Sequence, residues 1–436
     1  MRSRPYSLYA ADRFLSREGC RDLFERVQRL TAGGGTTMIY LRSTWTGNVR
    51  WARNEITTSG DTTDHRLTIE RSIRGARQSA STNRLDDEAL RACVQRVEDR
   101  LRYERYDLDA QPPRRAESYL TTNTWSDETF NLDAQARAEI QRRLVEPAIA
   151  AQMHAAGYLE VSAIGSGIVN SAGLFAYQPE TRAEYSVTVR NLKGTASGWA
   201  GADDRDWRKI DAERLSATAL DKCRRSGDPV AIEPGRYTVI LEPQAVAELM
   251  LPLVRSLVRM PAESGVGPWA DRSEQPVRQP AAGQAMVIGS DEPIRRSKIG
   301  QKVLDERITI GADPADPDAS IVPFWADGTP HRAVKWIEGG VLKELAYDRF
   351  YALRSLNRAD PLNNSQAFRM TGGQASVDDM IADTTRGLLI TRFVNVRQVD
   401  GNTLLCTGTT ADGVWLIERG RITTPVKNFR FRESPL

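Results

Sequence analysis

The residues able to bind a metal, attack a carbonyl or move a proton are few and scattered in this sequence. Three histidines, His65, His154 and His331, are spread over 436 residues. Local metal motifs place two histidines within one or two helical turns so that both reach one ion. No such pair is present. The four cysteines, Cys20, Cys93, Cys223 and Cys406, form no CxxC pair, which fits neither a zinc ribbon nor a disulfide-dense scaffold. Cys93 and Cys223 fall among apolar helix positions, the pattern of buried, reduced packing residues. Cys406, between Leu405 and Thr407, is the candidate nucleophile, with His331 or His65 as its base. A nucleophilic cysteine needs a nearby base or positive charge, and the neighbouring sequence supplies neither. The carboxylates Asp313, Asp316 and Asp318 lack the glycine and glutamate spacing of a calcium loop and read as an exposed loop.

The elements that would position these groups follow from hydrophobic periodicity. Thr37–Thr44 and Leu67–Ile73 have strand composition. A helix is predicted after Asp86, its N-cap, with Leu90, Val94, Val97 and Leu101 at helical spacing and Leu85 as a hydrophobic staple. A second helix is predicted over Ala134–Ala156, with Ile140, Leu144, Ala148 and Met153 inward and Gly157 as its stop. Strands are expected at Leu159–Ser166 and Tyr185–Arg190. A third helix over Asp211–Arg225 buries Leu215, Ala219 and Cys223. Trp45 and Trp51 read as residues packing a sheet face.

Beyond Gly227-Asp228-Pro229 the pattern changes. Gly235–Glu242 reads as a strand and Gln244–Arg259 as an apolar helix interrupted by Pro252. Residues 261–296, rich in Pro, Gly, Gln and charges, read as a long loop. Two hairpins follow, Ala333–Ile337 with Val341–Leu345 and Val414–Ile417 with Arg421–Thr424. Each turn ends in glycine, as a left-handed final turn residue requires. The expected class is α+β: an α/β-type N-terminal domain with a mixed sheet and helices over 1–230, then a strand-rich, largely antiparallel C-terminal domain over 231–436.

An apolar fraction of 40% and a charged fraction of 27% are ordinary for a soluble globular chain. No run approaches the roughly 20 apolar residues of a membrane span. Met1–Ala10 has no apolar core, so no secretory signal is visible and a cytoplasmic location is expected. The net charge is only +3, and arginines alternate with acids, as in Arg100-Leu101-Arg102-Tyr103-Glu104-Arg105. That reads as a solvated helix face, not a nucleic-acid stripe.

Ordered segments along nearly the whole chain resemble the TldD/PmbA family. They are Ser79-Ala80-Ser81-Thr82-Asn83 with Leu85-Asp86, Asn170-Ser171-Ala172-Gly173-Leu174, and Ser197-Gly198-Trp199-Ala200. Next come Glu233-Pro234-Gly235, Thr238-Val239-Ile240-Leu241-Glu242-Pro243 and Asp327-Gly328-Thr329-Pro330. The last are Arg386-Gly387-Leu388-Leu389-Ile390-Thr391, Leu416-Ile417-Glu418-Arg419-Gly420-Arg421-Ile422 and Pro425-Val426-Lys427. The resemblance implies a dimeric peptidase in which one subunit carries a zinc-binding HExxxH helix and a related subunit lacks it. The pair encloses a chamber where an unfolded peptide is held extended and cut, and leader peptides of ribosomally made natural products are among the substrates.

By that resemblance the zinc helix should follow the Val239–Pro243 strand. The two histidine positions then fall near Leu251 and Ser256, and the glutamate position near Pro252. Leucine has no lone pair for zinc, and proline cannot take a proton from bound water. Glu248, the one acid in that stretch, reads as a surface or capping residue. In zinc-bearing members a cysteine ligand comes from a tail beyond the Pro425-Val426-Lys427 strand, so Cys406 does not match it.

The expected role is a non-catalytic subunit with no catalytic or metal residues and no cofactor of its own. Zinc is expected in an HExxxH-bearing TldD-like partner, with an extended peptide as substrate. Two alternatives stand beside it: a homodimeric peptide-binding or regulatory module, and a metal-independent peptidase using Cys406.

Overall fold

The computed structural model describes residues 9–10, 13–31, 33–103, 111–273, 297–358, 360–363 and 367–436. The chain forms two compact units. Unit 1 is Met1–Gly227 with Pro314–Arg332, and unit 2 is Asp228–Asp313 with Ala333–Leu436. A single division at 230/231 therefore omits the return of 314–332 to unit 1, a long-range contact that no local pattern encodes. The class is α+β.

Unit 1 begins with the short strands β1 (Tyr9–Ala10) and β2 (Phe14–Leu15), then α1 (Arg17–Leu30), β3 (Thr36–Ala52), β4 (Glu55–Ile73), β5 (Ala76–Thr82) and α2 (Asp87–Leu101). It continues through α3 (Asp127–Phe130), α4 (Ala134–Ala150), β6 (Met153–Asn170), β7 (Phe175–Asn191), β8 (Ser197–Asp204) and α5 (Ala212–Arg225). Its six-stranded sheet has the order β5-β4-β3-β6-β7-β8, and every pairing is antiparallel. The mixed pairing expected in this half is found instead in unit 2. Two-residue turns at Arg53-Asn54 (φ 51° and 70°) and Arg74-Gly75 (φ 50° and 82°) join β3, β4 and β5. Left-handed φ at both positions matches the twist of the flanking strands.

One face of this sheet carries the helices. Trp45 and Trp51 on β3, Leu159 and Val161 on β6 and Tyr185 on β7 pack with Leu144 and Ala148 of α4 and Ala219 and Cys223 of α5. Farther along the same face, Ile39, Leu41, Leu67 and Ile69 pack with Leu23 and Val27 of α1 and Leu90, Val94 and Val97 of α2. Asp86 caps α2 by accepting the Ala89 N–H at 3.0 Å, as its position predicts.

Two predicted elements are corrected. The helix expected over Ala134–Ala156 ends at Ala150. Gln152 turns with φ 53°, and Met153 opens β6. Gly157 is no helix stop: a Cβ there would lie 2.3 Å from the Trp51 ring, so glycine lets the indole lie flat on the strand. β3 and β4 are also far longer than the predicted segments. The first half of β4 is mostly exposed, has no apolar alternation and is held by its ladder to β3.

On the opposite face, Phe324 of the returning segment packs with Ile168, Leu174 and Ala176. Tyr119 Oη donates to the Gly328 carbonyl at 2.8 Å. Asn170 closes the β6–β7 turn: its Oδ1 accepts the Ala172 and Leu174 N–H groups, and its Nδ2 donates to the Arg114 carbonyl. Gly198 lets β8 approach α5, where a Cβ would meet the Ala219 carbonyl at 2.3 Å. Asn170, Gly198 and Gly328 belong to the segments that carry the resemblance, and each has a structural task.

Unit 2 contains β9 (Val239–Leu241), α6 (Pro243–Ser256), α7 (Arg259–Glu263), β10 (Thr309–Ala312), β11 (Val334–Glu338), β12 (Val341–Leu342) and α8 (Arg349–Leu356). It ends with β13 (Arg369–Thr371), α9 (Val377–Ala382), β14 (Arg386–Asp400), β15 (Leu405–Glu418), β16 (Arg421–Pro425) and β17 (Arg430–Glu433). One sheet runs β12-β11-β10-β13; the other runs β16-β15-β14-β9, with β17 also on β15. β9 and β14 pair in parallel. Both predicted hairpins form, with two-residue turns at Gly339-Gly340 and Arg419-Gly420. The expected strand at Gly235–Glu242 shortens to β9. Of the loop expected over 261–296, residues 274–296 lie outside the described residues. The part before them is packed: α7 runs to Glu263, and Trp269 is buried.

Candidate functional site

The position implied for a zinc helix is occupied by α6. β9 feeds it directly, and the Glu242 N–H donates to the Ile390 carbonyl on β14 at 3.0 Å. Pro243 stands in the first turn, where its missing N–H and fixed φ suit a helix start. Ala245 packs with Leu388, Ile390 and Phe393, while Leu253 joins a second core with Trp269, Trp336 and Ile337. The helix continues through Pro252 to Ser256, so the Glu248 carbonyl receives no N–H from position 252.

The three positions that the resemblance implies for zinc ligands and base have distinct surroundings. Leu251 is 43% exposed and lies in a solvent-facing stripe with Pro243, Ala247 and Arg255. Pro252 is half-buried. The Ser256 hydroxyl donates to the Leu253 carbonyl at 2.7 Å and accepts the Trp269 indole N–H at 2.9 Å. Zinc requires thiolate, imidazole or carboxylate donors, and these side chains do not provide them. Glu248 is also engaged: its carboxylate accepts the Phe393 backbone N–H at 2.6 Å and the Gln244 amide at 2.8 Å. Zinc therefore does not fit this helix.

Beside α6, β14 and β15 shift register between Ile390 and Arg392. Asp412 (φ 54°) and Gly413 (φ 129°) form the bulge, and Arg392 donates to the Asp412 carboxylate across it, from Nε at 2.9 Å. The sequence reading missed this feature, although a glycine inside a strand pattern signals a bulge.

The three histidines form no common metal site among the described residues. Ser43 pairs with both His65 on β4 and Gly165 on β6. His154 is eleven residues from Gly165 along β6, roughly 35 Å from the level of His65. The His65 Nδ1 is 2.9 Å from the buried Ser43 hydroxyl, and burial pushes its pKa down. His331 packs edge-on to Trp325, with ring centroids 4.4 Å apart, and burial lowers its pKa to about 4. Cys406 is fully buried, its thiol contacts the Leu404 carbonyl, and burial raises its pKa. That environment opposes thiolate formation. Among the described residues, no group of three or more His, Cys, Asp or Glu is placed to hold a metal ion. No helix among them is long and apolar enough to cross a membrane.

Residues 38–100 match the family model for PmbA/TldA metallopeptidase domain 1, and residues 234–436 match that for the PmbA/TldA metallopeptidase C-terminal domain. Together these matches span more than half of the sequence. The chain belongs to the TldD/PmbA family and is a metallopeptidase-related protein.

Solved structures share the fold at low identity. A putative modulator of DNA gyrase from Thermotoga maritima superposes with a TM-score of 0.77 at 16% identity, covering 96% of this chain and 92% of that one. A putative modulator of DNA gyrase from Bacteroides thetaiotaomicron gives 0.76 at 16% identity, over 94% and 90%. TldE from Thermococcus kodakarensis gives 0.75 at 17% identity, over 96% and 91%. No curated protein matches the sequence significantly.

Proposed function

We propose that this chain is the non-catalytic subunit of a heterodimeric zinc peptidase in the cytoplasm. An HExxxH-bearing relative would carry the zinc, and the pair would process unfolded peptides such as leader peptides of ribosomally made natural products. The observation that carries this reading is the chemistry of α6. A helix stands directly after β9; the ligand and base positions that the resemblance implies fall near Leu251, Pro252 and Ser256, and Glu248 is held by Phe393 and Gln244. Sheet edges in unit 2 suit an extended peptide. Among the described residues β13 ends its sheet and is exposed at all three positions, and strand addition there would give affinity with little sequence demand.

Co-expression with an HExxxH-bearing relative tests the assignment. A stable one-to-one complex that cleaves an unfolded peptide, when neither chain alone does so, is the expected result. Self-association of this chain, with no complex and no gain in cleavage, would favour the homodimeric peptide-binding module instead.

A further inference from the structure

Unit 1 contains a groove of about 490 Å³ between the end of α1, the β4–β5 turn and one side of α2. That volume lies within the range of small-molecule sites. The groove has two chemically distinct parts. Leu30, Ile73, Val94 and Leu101 form an apolar floor, of which Val94 is almost fully buried. Three exposed arginines stand around it: Arg74 on the turn, Arg91 on α2 and Arg102 just past its C-terminal end.

The charge balance favours an anion. Among the described residues, Glu98 is the one acid lining the groove, and its carboxylate is bound to the buried Arg71 at 2.9 Å. Arg102 pairs with Asp99 at 3.5 Å across exposed surface, an interaction weak enough for a ligand to replace. Among the described residues, Arg74 and Arg91 have no acidic partner. Arg74 also adopts φ 50°, a turn position that asparagine, aspartate or glycine fills at lower cost. Its side chain projects beside the apolar floor all the same.

We infer that this groove binds a soluble amphipathic anion, an alkyl or aryl group ending in a carboxylate or phosphate. The apolar part lies on Leu30, Ile73 and Leu101, and the acid head meets Arg74 and Arg91. Guanidinium groups suit such heads because two N–H donors can reach two oxygens of one acid. The groove is built from unit 1 alone, and the inference does not depend on the peptidase assignment.

Displacement of 1-anilinonaphthalene-8-sulfonate from the purified full chain tests the inference. Decanoate is expected to displace the dye at about ten-fold lower concentration than decylamine, because charge-assisted contacts distinguish the heads. Arg74→Ser and Arg91→Glu change exposed residues and should each weaken decanoate about five-fold or more at unchanged melting temperature. Ala76→Leu, which narrows the groove without altering charge, should weaken decanoate and decylamine alike. Equal displacement by both compounds, or unchanged decanoate affinity in both arginine variants, would overturn the inference. Binding to anionic phosphatidylglycerol vesicles that decanoate cannot compete away would also overturn it, by identifying a membrane surface as the occupant.

Discussion

Glu248 of α6 accepts the backbone N–H of Phe393 at 2.6 Å, on the strand segment that follows the Arg392–Asp412 bulge. The one acid of the helix thus ties α6 to β14, at the point where a register shift disrupts the ladder. The acid expected as a surface or capping residue is instead an acceptor that links helix and sheet.

Removing that acceptor should be costly. Glu248→Ala leaves the N–H of a nearly buried residue unpaired, which costs about 1–3 kcal/mol. Glu248→Gln keeps a carbonyl acceptor and should lose less. Urea unfolding midpoints measure the difference, and equal midpoints for wild type and Glu248→Ala would contradict this role.

The bulge itself should tolerate no side chain at Gly413. A Cβ there would lie 2.3 Å from the Trp415 ring and 2.8 Å from the Thr391 hydroxyl, at φ 129°. Gly413→Ala should therefore destabilise the chain by more than about 2 kcal/mol. Thermal melting would show this as a clear drop in Tm, whereas an unchanged Tm would mean the bulge geometry is different.

All four cysteines are buried, and burial raises the pKa of each thiol, that of Cys20 to about 12. Thiol-reactive reagents at neutral pH should modify none of them quickly in the native chain and all of them in urea. Rapid modification of Cys406 alone, with loss of peptidase activity in Cys406→Ala, would restore the metal-independent alternative.

His331 gives a pH dependence of defined sign. Its pKa falls from 6.5 to about 4 because burial disfavours the imidazolium. The unfolded chain therefore binds more protons between those values, so the neutral ring contributes stability above about pH 6.5. That contribution is lost as pH falls towards 4, by on the order of 1–3 kcal/mol. His331→Phe should flatten the fall in stability over this window relative to wild type. Parallel curves for the two proteins would show that His331 is not buried as described.

Features set by local chemistry were legible in the sequence. Asp86 announces α2 by the acceptor it offers, and Gly340 and Gly420 announce their hairpins by the φ they permit. The apolar residues of Ala148–Gly157 suit a helix as well as a strand, so the change from α4 to β6 has no local signal. The reversal at Gln152 depends on β6 pairing with β3 and β7, and the role of Gly157 depends on Trp51, over a hundred residues earlier. The first half of β4 has no apolar alternation, so only its partner strand defines it. The return of Phe324 to the sheet of unit 1 has no local signal, and neither does the arginine-rimmed groove. At the candidate site, Leu251, Pro252 and Ser256 could be read as unsuited to zinc from their types alone. The bonds of Ser256 to Trp269 and of Glu248 to Phe393 needed the fold.

The central claim is that the zinc belongs to another chain. Metal analysis of this protein purified alone, and again in complex with an HExxxH-bearing relative, tests it most directly. The account predicts no stoichiometric zinc in the single chain and one zinc per heterodimer. One zinc per molecule in the isolated chain, retained after extensive dialysis, would contradict it.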